Sequence, residues 1–96
     1  MPMIDTIYKN RTKILELAHN RGVLEIRVFG SVAREMENSK SDIDFLVSVN
    51  NQCDLFDLGA LALDIEDLLH RKVDIVTERA LYPAMRAQIL KEARPI

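Results

Sequence analysis

"FGSVAREMENSKSDIDFLV", Phe29 to Val47, decides how this chain is read. Gly30-Ser31 closes one apolar run. Ten residues intervene, and Asp42 and Asp44 then stand one residue apart at the head of another run. Strands disfavour aspartate, so two at the start of "DIDFLVSV" need a reason. Side chains two apart on a strand point the same way, roughly 6–7 Å apart along the backbone. Asp42 and Asp44 therefore share a face, opposite Ile43 and Phe45. Two carboxylates that close resist joint ionisation. A hard divalent cation between them removes the conflict, since Mg²⁺ takes one or two carboxylates together with substrate phosphates.

Outward from this stretch the pattern is that of alternating helices and strands. Ile4, Ile7, Ile14, Leu15 and Ala18 fall at helical spacing and predict one helix from Ile4 to His19. Asp5 or Thr6 can cap it, and Gly22 stops it. "VLEIRVF" alternates, with Leu24, Ile26 and Val28 on one face, and reads as a strand. "SVAREM" predicts a short helix capped by Ser31. In the next strand Ile43, Phe45, Val47 and Val49 share a face. Asp54 can cap a long helix to about His70, with a stripe of Leu55, Leu58, Leu61, Ala62, Ile65, Leu68 and Leu69. "KVDIVT" is a third strand, and Pro83 suits the first turn of a last helix to about Ala93. The order predicts an α/β fold, a small sheet of at least three strands with helices packed against it.

Size and charge narrow the function. The chain has 96 residues, room for one domain spanning 1–96. No apolar stretch approaches the ~20 residues that cross a bilayer, and the N-terminus lacks the pattern of a secretory signal. These features predict a cytoplasmic protein with no membrane partner. A net charge of −2 with both signs scattered argues against a nucleic-acid grip, which needs clustered Lys and Arg. The one cysteine, Cys53, has no neighbours at metal-ligand spacing and reads as incidental.

Asp74 interrupts the third strand as Asp42 and Asp44 interrupt the second. If the two strands are neighbours, ~4.8 Å apart, three carboxylates can gather and hold one or two Mg²⁺ ions. In two-metal sites such ions activate an attacking oxygen and steady the leaving group of a phosphoryl displacement. Gly30 leaves room for a phosphate to approach, and Ser31 at a helix start offers donors to an anion. Each piece also has a plain reading: a solvated strand end, a helix cap, a lone surface acid. Their joint spacing favours the site. Arg34 can reach a phosphate or pair with Glu35 or Glu37. His19 and His70 suit last-turn positions of helices. Tyr8 and Tyr82 suit packing, and the basic stretch around Arg71 a solvated helix end.

The quoted motif, "FGSVAR" followed by "SDIDFLV", resembles the signature of the DNA polymerase beta nucleotidyltransferase superfamily. It is most similar to the minimal nucleotidyltransferase (MNT) antitoxins, and the resemblance extends to "KVDIV" and "LYPAMRAQIL". It implies a palm-like nucleotidyltransferase fold with a small mixed sheet. It also implies triphosphate binding by Gly30 and Ser31, and a metal set of Asp42, Asp44 and Asp74, with Asp74 helping to deprotonate the attacking hydroxyl. ATP is the implied substrate and Mg²⁺ the implied cofactor. The implied reaction moves AMP to a tyrosine hydroxyl of a HEPN-domain RNase toxin, which such proteins also bind directly. Relatives commonly have glycine where this chain has Glu35, which puts a negative charge near the expected phosphate site. With no region to recognise a template or tRNA, a homo- or hetero-oligomeric partner must supply acceptor recognition.

Two competing readings remain. One is an antitoxin that neutralises its partner by contact alone, over a vestigial site. The other is an enzyme acting on a small hydroxylated molecule, for which 96 residues leave little wall for a pocket.

Overall fold

The computed structural model describes residues 2–96. In chain order the elements are α1 (Met3–Lys9), α2 (Arg11–Asn20), β1 (Val23–Phe29), α3 (Gly30–Ala33), β2 (Ile43–Val49), α4 (Leu55–Leu69), β3 (Val73–Thr77), α5 (Pro83–Glu92) and β4 (Arg94–Pro95). A single 3₁₀ turn, Glu78–Ala80, joins β3 to α5. The four strands form one mixed sheet in the order β3-β2-β1-β4. β1 runs antiparallel to both β2 and β4, whereas β2 and β3 are parallel.

One face of the sheet carries the core. Ile43, Phe45 and Val47 of β2, Ile26 and Val28 of β1, and Val73 of β3 are buried there. Ile4, Ile7, Ile14 and Ala18 of α1 and α2, and Leu61, Ile65 and Leu69 of α4, join them in one cluster. Burying each such large side chain contributes roughly 1.5–3 kcal/mol. α4 holds its place through a capping box: Asp54 accepts from the Asp57 N–H at 2.9 Å, and Asp57 accepts from the Asp54 N–H at 3.1 Å. That arrangement satisfies two otherwise orphaned donors. Among the described residues no polar or charged residue is buried, and no helix is long and apolar enough to cross a membrane.

The structure departs from the sequence reading at five places. The first helix is two, broken at Asn10, whose Nδ2 donates to the Thr6 carbonyl at 2.8 Å. A side chain that bonds its own preceding turn competes with continuing the helix. No side chain caps α1, which starts at Met3, ahead of both Asp5 and Thr6. Leu24 is 62% exposed, because a bulge between Val23 and Glu25 shifts the β1–β2 register and breaks the alternation. Ser31 does not cap α3: Phe29 holds that position, and no side chain makes a capping bond. Leu55, expected on the apolar stripe of α4, is 83% exposed in the helix's first turn.

β4 lies at the sheet edge beside β1. Arg94 pairs with Val28 and Pro95 with Arg27, and Ile96 is buried in the core. The Tyr8 hydroxyl donates to the Pro95 carbonyl at 3.3 Å, and Arg11 Nη2 donates to the Ile96 carbonyl at 3.2 Å.

Candidate active site

The sheet topology brings the singled-out residues to one end of the molecule. Because β1 and β2 are antiparallel, the end of β1 lies beside the start of β2, and Phe29 pairs with Asp44. The Gly30-Ser31 turn therefore follows directly beside Asp44. Because β2 and β3 are parallel and in register, Asp44 pairs with Asp74. Asp42 precedes β2 by one residue and is exposed, as is Asp74, while Asp44 is half-buried.

Gly30 meets two requirements. Its φ is +74°, a conformation L side chains rarely adopt. A Cβ placed there would also collide with the Asp44 Oδ2 atom. The missing side chain thus lets the Asp44 carboxylate lie against the turn. The first N–H groups of α3 are the ones a helix leaves without internal partners, so they and the half-buried Ser31 hydroxyl are available to an anion.

The electrostatics identify Asp44 as the strained member. Its carboxyl is pushed up to about 6, first by burial, then by the negative charges of Asp74 and Asp42, against a lowering by Arg34. Glu92 at the end of α5 adds to the upward push. Arg34 does not pair with Glu35 or Glu37. Its Nη1 donates to Glu92 Oε2 at 2.6 Å, and Glu37 instead accepts from the Met3 N–H at 3.0 Å. That bond and Glu37's own N–H hold the Glu37 carboxyl below the usual range.

Two clamps hold the acid-bearing segments. Arg71 Nη2 donates to the Asn38 carbonyl at 2.9 Å and to the Ser41 carbonyl, pinning the loop that leads into Asp42. Glu66 Oε2 accepts from the Val73 N–H at 3.0 Å, one residue before Asp74. Arg71 is thus more than a solvated helix end.

Hard oxygen donors with excess negative charge suit a divalent cation; the neighbouring Asp74 and Asp42 charges are the second and third causes, after burial, of the raised Asp44 carboxyl. Asp42, Asp44 and Asp74 fit such an ion in donor type, and Asp44 and Asp74 are register partners on neighbouring strands. As they stand, no three His, Cys, Asp or Glu side chains among the described residues converge closely enough to share one. The other reactive candidate stays apart. The Cys53 thiol is pushed up by burial, then by Asp57 and Asp54, so it favours its unreactive protonated form.

Glu35 adopts φ +56°, in the left-handed region. A glycine there would meet no such strain. The exposed Glu35 carboxylate is not among the charges that shift Asp44. Glu92 was not found from sequence. It stands 58 positions beyond Arg34, and nothing in "LKEARPI" marks it.

A mixed sheet backed by helices, with acids and a Gly-Ser turn at one end, defines a nucleotidyltransferase class of fold. The chain belongs to the polymerase beta nucleotidyltransferase family, whose model matches residues 12–96. A Methanocaldococcus jannaschii protein named "putative protein adenylyltransferase" is 35% identical over 83 residues, 86% of this chain and 89% of that one. Protein adenylyltransferase MntA of Thermococcus cleftensis is 35% identical over 77 residues, 80% of this chain and 78% of its own. Among solved structures, a "putative minimal nucleotidyltransferase" superposes with a TM-score of 0.86 at 42% identity, covering 96% of this chain and 94% of that one. A toxin-antitoxin complex with AMP-PNP gives 0.74 at 25% identity, covering 90% and 71%.

Proposed function

We propose that this chain is a cytoplasmic antitoxin that transfers AMP from ATP to a tyrosine hydroxyl of a cognate HEPN-domain RNase toxin. The observation that carries it is the Asp44 carboxylate lying against the Gly30-Ser31 turn, with Asp74 its register partner on β3 and Asp42 one residue before β2. The relatives named as protein adenylyltransferases support the choice of AMP and of a protein acceptor. The toxin-antitoxin complex with AMP-PNP supports ATP as donor and a toxin as partner.

In this reading the free N–H groups of the Gly30-Ser31 turn and the Ser31 hydroxyl hold the triphosphate, with Arg34 as a further cation. Asp42, Asp44 and Asp74 would hold Mg²⁺, which when bound neutralises phosphate charge and acidifies the attacking hydroxyl. The tyrosine oxygen forms a bond to the α-phosphorus as the bond to pyrophosphate breaks. The hydroxyl proton passes to a carboxylate, for which exposed Asp74 is the candidate.

The test is incubation with α-labelled ATP, Mg²⁺ and the protein encoded beside this one. Label is expected on the partner's tyrosine, and its loss is expected when Asp42 and Asp44 are both asparagine. Label transferred undiminished by that double variant would remove the mechanism. If instead the unlabelled partner is neutralised equally well by the double variant, contact alone suffices.

A further inference from the structure

Resting on the nucleotide site proposed above, a further role falls to a residue of α5. Glu92 is an unusual place for a carboxylate. It closes α5 beside α3, where Arg94, two residues on, donates to the Ala33 carbonyl at 2.9 Å, and so adds negative charge near a site already crowded with it. Its side chain is only 11% exposed, so it has lost much of its hydration. A group in that position needs a compensating partner, and Arg34 is that partner at 2.6 Å.

The bond takes only part of Arg34. A guanidinium carries five N–H donors in a rigid fork, and Glu92 accepts from Nη1 alone. Among the described residues the other donors of Arg34 meet no protein acceptor, and the side chain is 48% exposed. The Arg34 N–H donates to the Gly30 carbonyl at 3.1 Å, so the side chain starts from the Gly30-Ser31 turn itself. The ion pair therefore holds the cation at the site rather than drawing it away. The backbone is fastened at the same seam. Arg94 Nη1 donates to the Ala33 carbonyl at 2.9 Å, and Arg94 pairs with Val28 in the sheet. The residues flanking Arg34 and Glu92 are thus anchored to each other independently of the ion pair.

We propose that Glu92 is a positioning residue: it grips one edge of the Arg34 guanidinium and leaves the other edge directed to the triphosphate of the nucleotide. An unrestrained arginine would lose rotamer freedom on each binding event; one already held loses less.

The test is calorimetric binding of AMP-PNP and of adenosine to the full chain with Mg²⁺, for the wild type, Glu92→Gln and Glu92→Asp. Glu92→Gln keeps the shape but weakens the grip, and roughly tenfold weaker AMP-PNP binding is expected, the scale of one charge-assisted hydrogen bond. Adenosine affinity should not change, because it has no phosphate for Arg34 to meet; a general structural defect would weaken both. Glu92→Asp keeps the charge but withdraws it by one methylene, and should weaken AMP-PNP selectively as well. It decides the matter if Glu92→Gln does not fold. Unchanged AMP-PNP affinity in the folded variants, or equal loss for both ligands, overturns the positioning role and leaves the nucleotide site standing. Failure of the wild type to bind AMP-PNP removes the nucleotide site, and this role with it.

Discussion

The two faces of this sheet are built on opposite principles. On one, Ile43, Phe45 and Val47 alternate into a core closed by α1, α2 and α4, with no charged residue buried among the described residues. On the other, the intervening residues of the same strand are Asp44, Leu46 and Ser48. Their neighbours in register include Asp74 and Arg27. Arg27 bonds Glu78 at 2.5 Å, and Arg86 of α5 pairs with Glu78 at 3.6 Å, tying α5 over this face through charges. Leu46 and Ile89 are buried but stand outside the main cluster. The difference teaches where stability and function are separated. The apolar face supplies the folding free energy, which lets the other hold like charges against their mutual repulsion.

Breaking the comparison from the apolar side has the largest effect. Phe45→Ala empties the centre of the core and is expected to cost about 3–5 kcal/mol, read as a lower denaturation midpoint in urea. Activity should fall with the folded fraction and not beyond it. Gly30→Ala attacks the junction between the faces. The strain at φ +74° and the collision with Asp44 are expected to cost about 2–3 kcal/mol. Here nucleotide binding should be impaired even in protein that remains folded.

Smaller changes sharpen the contrast. Glu35→Gly relieves a left-handed residue and should raise stability by about 1 kcal/mol, with little effect on nucleotide affinity. The least expected effect is a pH dependence belonging to the charged face alone. The Asp44 carboxyl is raised from 3.8 to about 6 in the folded chain, so the folded state holds that proton more tightly than the unfolded one. Its stabilising contribution is full below about 4 and is lost as pH rises to about 6. With chelator present, urea midpoints should decline across that window, and Asp44→Asn should flatten the decline. Asp44 is half exposed, so solvent screening keeps the effect small.

The apolar face was largely legible before the structure, because period-two and period-3.6 patterns are local properties of the chain. Ile43, Phe45, Val47, Leu61 and Ile65 lie inside as their spacing required. The Gly-Ser turn and its acids were legible for a similar reason, since each breaks a local rule: a glycine before a helix, aspartates in strands. What escaped depends on distant partners. Leu24 alternates correctly in sequence, and only the register of β1 against β2 turns it outward. Leu46 is buried on the charged face by layers that its neighbours in sequence do not reveal. Glu92 looks like any surface glutamate until α5 is laid against α3. The short strand Arg94–Pro95 forms against the free edge of β1, a partner about 67 positions earlier in the chain.

The most direct test is a crystal structure of the chain with Mg²⁺ and AMP-PNP. The expected result is a triphosphate along the Gly30-Ser31 turn and an ion coordinated by Asp42 and Asp44, with Asp74 in reach of the α-phosphate. A nucleotide seated elsewhere contradicts the assignment, for example in the 300 Å³ hollow between Arg21, Asn50 and Asp57, with the three aspartates left without metal.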